Sequence, residues 1–157
     1  MAKLSTFLTY ETQAEEAAKL YTSIFKGSKI TRTTRYPTGT PMPKGTVMSV
    51  EFELEGRPFV ALNAGSGFKF TNAFSTSVSC ETQSEIDDYT AKLLAGGGEQ
   101  GQCGWLTDRF GVSWQVNPAF LNKTIGDQDD AKAERVMKAM MKMKKIDLAE
   151  LKRAYEG

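Results

Sequence analysis

Hydrophobic positions recur along the chain at two spacings, near two and near three to four residues. Leu4, Thr6, Leu8 and Tyr10 fall on one side of a predicted short strand, Leu4 to Tyr10. Gln13 to Phe25 follows a helical period. Ala14, Ala17, Ala18, Tyr21, Ile24 and Phe25 form one stripe, and Glu15, Glu16 and Lys19 face water. Gly27 supplies a C-cap. Ser28 to Tyr36, rich in Thr and Arg, reads as a strand. Residues 37–45 hold three prolines and two glycines and read as a loop. Thr46 to Leu54 alternates, with Met48, Val50, Phe52 and Leu54 on one face. Glu55-Gly56 is a hairpin turn, Arg57 to Asn63 the returning strand, and 64–67 a loop.

The same order then recurs. Ala73 to Cys80 reads as a strand. Thr82 or Ser84 caps a helix that runs to about Leu94, where Gly96, Gly97 and Gly98 stop it. Glu99 to Leu106 is extended, and Gly101 or Gly104 divides it into two strands. Asp108 to Gly111 is a turn, with Asp108 and Arg109 as a solvated ion pair. Val112 to Val116 is the last strand, stopped by Pro118. The halves share almost no residues, but their order of elements repeats after roughly 60 to 70 positions. A tail completes the chain. Its first helix starts at Asp129 or Asp130 and carries Val136, Met137, Met140, Met141 and Met143. Its last is capped by Asp147, with Glu150 at capping-box spacing. The methionine stripe suits core or dimer packing, or a ligand-binding surface. The predicted fold class is α+β. It is a single domain over 1–157 with βαβββ modules at 3–66 and 72–118 and C-terminal helices at 129–156.

Composition narrows the chemistry. Twenty basic residues against 19 acidic give a net charge of +1 in 157 residues. That lacks the basic surplus of a nucleic-acid partner. No apolar run is long enough for a membrane helix. The N-terminus lacks the apolar core of a secretory signal, which points to the cytoplasm. The chain has no histidine, so Ser-His-Asp and Cys-His catalysis are excluded, as is imidazole at a metal site. Cys80 and Cys103 cannot form a zinc site alone. A disulfide between them is not expected in the cytosol.

Several segments carry a family resemblance. Gln13-Ala14-Glu15-Glu16-Ala17 with Tyr21 and Phe25, Phe59 to Asn63, and Cys80-Glu81-Thr82 resemble the PhnB-like branch of the vicinal oxygen chelate superfamily. That superfamily includes glyoxalases, extradiol dioxygenases and antibiotic-resistance proteins. Gly101-Gln102-Cys103-Gly104-Trp105-Leu106, Asp108, Phe110-Gly111, Ser113-Trp114-Gln115 and Pro118 resemble it most specifically. The tail from Val136-Met137 through Lys144-Lys145-Ile146-Asp147 is similar too. The resemblance implies two modules curled around a cleft, and often a homodimer. The branch is often labelled 3-demethylubiquinone-9 3-methyltransferase.

In metal-dependent relatives the ligands are His, Glu or Gln on the first, fourth, fifth and eighth strands. The matching slots here are Ser5, Asn63, Ala73 (or Phe74) and Gln115. They offer at most three weak neutral donors, so no metal and no cofactor is expected. Alternation sends Val112, Trp114 and Val116 toward the helices, and Ser113 and Gln115 toward the cleft. Leu62, taken as core, sends Asn63 toward the cleft as well. The candidate ligand-binding residues are Ser5, Phe7, Phe59, Asn63, Ser75, Ser77, Ser113 and Gln115. The amides and hydroxyls either orient a polar group of a small molecule or satisfy one another. Phe7, Phe59 and Phe74 are either stacking walls or core.

Three functions remain open. The first is metal-free binding of a small amphipathic or aromatic molecule. The second is an enzyme of the same fold, with Glu51, Glu53 or Glu55 as a candidate general base. The third is a partner-binding protein that uses its Met-rich tail. Methyl transfer finds little support. Gly96–Gly98 stops a helix, and Gly65-Ser66-Gly67 leads to a strand rather than a helix N-terminus that would hold S-adenosylmethionine. Cys103 lacks a basic partner beyond Arg109 and reads as an inert thiol.

Overall fold

The computed structural model describes residues 2–157, which divide into two compact units, one ending at Lys69 and one running from Phe70 to Gly157. The first holds β1 (Thr6–Tyr10), α1 (Ala14–Ile24), β2 (Lys29–Arg35), β3 (Val47–Leu54) and β4 (Arg57–Asn63). Its mixed sheet has the order β1-β4-β3-β2, with β1 parallel to β4. Leu54 pairs with Arg57, so the hairpin loop is only Glu55-Gly56, both at positive φ (48° and 76°). This is the left-handed geometry that matches strand twist, and glycine takes the second place without strain.

One face of the sheet is closed by α1. Leu8, Val50, Phe52, Phe59 and Ala61 are buried there, and Phe52 stacks on Phe59 at 5.4 Å. Ala14, Ala17 and Ala18 are fully buried on the helix, where small side chains let it lie close to the strands. Leu4 departs from the predicted alternation: β1 starts only at Thr6, and Leu4 is 90% exposed.

The second unit holds β5 (Thr76–Cys80), α2 (Gln83–Leu94), β6 (Glu99–Gln100), β7 (Trp105–Thr107) and β8 (Ser113–Pro118), then α3 (Ala119–Thr124), α4 (Asp130–Met140) and α5 (Leu148–Glu156). Its sheet repeats the plan with the order β5-β8-β7-β6 and β5 parallel to β8. The fold is α+β with two four-stranded mixed sheets. Thr82 caps α2 in a full capping box with Glu85. Val78, Cys80, Leu106, Trp114 and Val116 are buried, as are Ile86 and Leu93 of α2. Ala73 and Phe74 lie in a turn before β5, so the predicted strand is three residues too long at its start. Pro118 ends β8 and opens α3, a short helix that no periodicity announced.

Asp108 is not the solvated ion that its sequence neighbour suggested. It is 2% exposed. Its carboxylate accepts from Phe110 N (2.9 Å), Val112 N (3.0 Å) and Trp114 Nε1 (2.9 Å). The β7–β8 turn and the buried indole are thus held by one side chain, in charge-assisted bonds stronger than neutral ones. The tail packs on its own unit. Val136, Met143, Ile146 and Leu151 are buried, and Met141 is 65% exposed. Arg135 of α4 donates to the carbonyls of Ala154 (2.9 Å) and Tyr155 (3.0 Å) at the end of α5. There it satisfies acceptors a helix leaves open.

Asp108→Ala strands three donors beneath the sheet and is expected to cost roughly 3 kcal/mol of stability in urea unfolding, with Asp108→Asn recovering part by keeping one acceptor. A loss below about 1 kcal/mol would mean that the turn forms without the carboxylate.

Candidate functional site

Each sheet has a second face, turned away from its helix. On the first sheet, register aligns Phe7, Val60, Glu51 and Arg32 in one row. Thr9, Leu62, Ser49 and Thr34 form the next. The β1–β4 side of this face is therefore largely apolar, and Phe7 is 59% exposed on it. The β3–β2 side is charged, but its charges are paired. Glu51 meets Arg32 at 3.8 Å and Glu53 meets Lys29 at 3.6 Å, with all four side chains well exposed. These are not the desolvated carboxylates that a general base needs. Glu55 sits in the exposed hairpin turn.

The second sheet's outer face has another character. Ser77, Gln115 and Trp105 form its central row, with Ser113 and Thr107 on one side and Ser79 and Asn117 on the other. Gln115 Nε2 donates to Ser75 Oγ at 2.8 Å, and Asn117 Nδ2 donates to Gln115 Oε1 at 3.4 Å. Ser113 is 2% exposed, and its hydroxyl has no hydrogen-bond partner among the described residues. These positions on β5, β7 and β8 hold hydroxyls, amides and an indole but no ionisable side chain; Glu99, opposite Thr107 on β6, adds an exposed carboxylate at the edge. Ser113 and Gln115 oppose Trp114 and Val116, as the alternation predicted. Asn117 extends the row; reading Pro118 as a strand stop hid it, although the same period reaches it.

Asn63 and Phe59 require a correction. Both face α1, being 5% exposed, on the side opposite Phe7 and Leu62. Asn63 Oδ1 accepts from Ala14 N at 2.8 Å, and its Nδ2 donates to Val47 O at 3.0 Å. Gln13, at the N-cap of α1, makes no side-chain cap bond. Asn63 supplies that cap from a distant strand and binds a helix donor that would otherwise be orphaned. Taking Leu62 as core inverted the phase, because one apolar residue on an open face is ordinary. Phe59 is inward for the same reason and packs on Phe52. Ser5 precedes β1 and is exposed, while Ser77 is exposed on β5.

The four metal slots do not make a donor set. Both ends of the Asn63 amide are engaged, Ala73 has no donor atom, and Ser5 lies outside the sheet. Gln115 alone faces outward, bonded to Ser75. Among the described residues, no cluster of three or more His, Cys, Asp or Glu could hold a metal. Residues of this kind do not fit the metal of the metal-dependent relatives. An open depression of about 380 Å³ lies elsewhere, lined by Gln83, Asp147, Leu148, Ala149 and Lys152. Its Gln83 and Asp147 are already engaged at the start of α5. Among the described residues no helix is long and apolar enough to cross a membrane.

Two units of this order, each with one helix over a mixed sheet, define a protein with the glyoxalase/bleomycin-resistance-like fold. FosX from Listeria monocytogenes, a fosfomycin resistance protein, shares it at a TM-score of 0.53 and 15% identity, over 78% of this chain and 97% of that one. A protein from Pseudomonas aeruginosa matches at a TM-score of 0.62 and 19% identity, over 75% and 98%. The PhnB protein from Bacillus cereus is 38% identical, with a TM-score of 0.68, and the match spans 75% of this chain and 100% of that one. The family model described as 3-demethylubiquinone-9 3-methyltransferase matches residues 2–117, and the chain belongs to that family, the PhnB-like branch of the vicinal oxygen chelate superfamily. No curated protein matches it. The family model ends before α3, so the tail lies beyond the matched residues.

Asn63→Ala is expected to lower stability by about 1–2 kcal/mol in thermal or urea unfolding. Because Asn63 faces α1, the same change should leave any ligand affinity of the outer faces unaltered. The two thiols should also separate. Burial pushes the Cys80 thiol up to about 11, whereas Cys103 is half-buried in a turn. At pH 8 a disulfide-exchange reagent should titrate Cys103 in the native protein and Cys80 only after denaturation. Equal rates at both would contradict the burial of Cys80.

Proposed function

We propose that this protein binds a small amphipathic or aromatic molecule, without a metal, on the sheet faces that α1 and α2 leave open. The carrying observation is the second sheet's outer face. There the half-buried Gln115 amide is held between Ser75 and Asn117. An amide nitrogen carries two protons and an amide oxygen two lone pairs, so Gln115 keeps one of each for a ligand's polar group. Trp105 offers an aromatic surface beside it. On the first sheet, Phe7, Val60 and Leu62 present an apolar surface of their own. The rows on β5, β7 and β8 carry no charge, with Glu99 confined to the β6 edge, which favours an uncharged ligand over Gln115, since an ion would be poorly compensated there.

The family description points to methyl transfer, but the residues supply little for it. Gly65-Ser66-Gly67 follows β4, the next element after it is the strand β5, and the next helix starts only at Gln83. A nucleoside cofactor therefore finds no helix N-terminus after that turn. In this reading the chain works as a homodimer in the cytoplasm, where Cys80 and Cys103 remain free thiols.

Titration with N-phenyl-1-naphthylamine, an uncharged aromatic fluorophore, tests the reading. Saturable binding unchanged by EDTA is expected, and Gln115→Leu should weaken it by about 3- to 10-fold through the loss of one or two hydrogen bonds. Absence of saturable binding, or binding that requires added divalent metal, would overturn the proposal. Native mass spectrometry of the same sample should give the mass of two chains; a single-chain mass would remove the dimer from this reading.

A further inference from the structure

The polar row on β8 is connected to the C-terminal tail through a single turn. Cys103 and Gly104 turn their backbone N–H groups to the tail and donate to Met143 O and Lys144 O, both at 2.8 Å. Gly104 in turn accepts from Val116 N at 2.8 Å. Both turn residues have positive φ, 56° at Cys103 and 80° at Gly104. A side chain at Gly104 would overlap Asn117 Oδ1, approach Val116 O to 2.8 Å and meet Ile146 Cγ1 at 3.1 Å. The turn is therefore pressed between the tail and the end of β8.

The tail is fixed by contacts of its own. Gln83, at the start of α2, donates to Ile146 O at 3.1 Å and accepts from Leu148 N at 2.8 Å. Lys145 pairs with Asp87 at 2.6 Å. Ile146 is fully buried. A line of neighbours thus runs from Gln83 to Ile146, past Gly104, where no room is left for a Cβ between Ile146 and Asn117, and from the Asn117 amide to Gln115 and Ser75. An unrestrained glutamine head group samples several rotamers, and fixing it on a half-open face takes neighbours that are themselves fixed.

We propose that residues 143–148 are a positioning element for the binding face, with Gln83 and Ile146 acting as positioning residues for Gln115. The proposal rests on the reading of that face as a binding surface. Neither residue lies on the face, so their effect reaches a ligand only through the Gly104 turn and Asn117. The tail then sets the geometry of a site built from elements within the family-matched segment.

The test pairs Ile146→Ala and Gln83→Leu with Arg135→Ala. The last disrupts the opposite end of the tail, where Arg135 holds α5 by its terminal carbonyls. The readouts are the side-chain amide resonance of Gln115 in 15N NMR and affinity for N-phenyl-1-naphthylamine. Ile146→Ala and Gln83→Leu should shift that resonance and weaken binding by about 3- to 10-fold, the scale of one or two lost hydrogen bonds. Arg135→Ala should lower the melting temperature and leave both readouts in place. Should the wild type bind while all three variants keep its affinity and the Gln115 resonance, the positioning role is overturned and the binding reading stands. If the wild type does not bind, the binding reading falls, and the resonance alone still decides whether the tail fixes Gln115.

Discussion

Each sheet in this chain has two faces and its own α1 or α2 to cover one of them. That constraint sorts nearly every strand residue. The covered face takes what a core requires: Phe52 on Phe59 under Tyr21 in one unit, and Trp114, Val116 and Leu106 in the other. The uncovered face is free to carry other chemistry, and the two units use that freedom differently. The first places charges there but pairs them across β2 and β3. The second carries Ser, Thr, Asn and Gln with an indole among them. Glu99 lies at its β6 edge, and the uncharged rows on β5, β7 and β8 can recognise a neutral polar group through directed hydrogen bonds. They would compensate a buried ion poorly.

The two polar amides show how similar residues acquire different work from their surroundings. Strand position alone gives Asn63 and Gln115 the same role. Asn63 lies at the end of β4, level with the first turn of α1, and its amide is consumed by a helix N–H and a strand carbonyl. Gln115 lies mid-strand on the outward phase, where its partners are other side chains. An amide committed to capping a helix contributes to stability and has no capacity left for a ligand. The fold is therefore shared with metal-dependent proteins while the donor set is not.

Most of the architecture was legible in the sequence because it rests on local period. The alternation of Val47–Leu54, the stripe of α1, the Thr82-Glu85 capping box and the glycines that divide Glu99 to Leu106 are short-range signals, and each has its counterpart in the structure. The site was less legible because its phase is set by tertiary contact. Leu62 and Asn63 each fit either face until α1 is placed. Asp108 resembles half of a surface ion pair, since nothing local shows that three N–H groups close around it. Two local signals do point the right way: an aspartate ahead of a Gly-ended turn fits an Asx-type bond, and the period of two continues past Gln115 to Asn117. The docking of Gln83 onto residues more than sixty positions away had no local sign at all.

The tail bears on why a common scaffold would serve different ligands. The segment matched by the family model ends at residue 117, at the amide neighbour of Gln115. The chain beyond it does not extend the sheet. It folds back and offers two backbone carbonyls to the turn that abuts Asn117. Carbonyls cannot be replaced by substitution, so this contact depends on where the tail chain runs rather than on which side chains it carries. Its course at that turn is in turn fixed by Gln83 and by Ile146 packed near Gly104. An element of this kind can move a hydrogen-bonding group by a fraction of its bond length without altering the strand that bears it. Directed hydrogen bonds weaken steeply with misalignment, so such adjustment would change ligand preference more readily than it changes the fold.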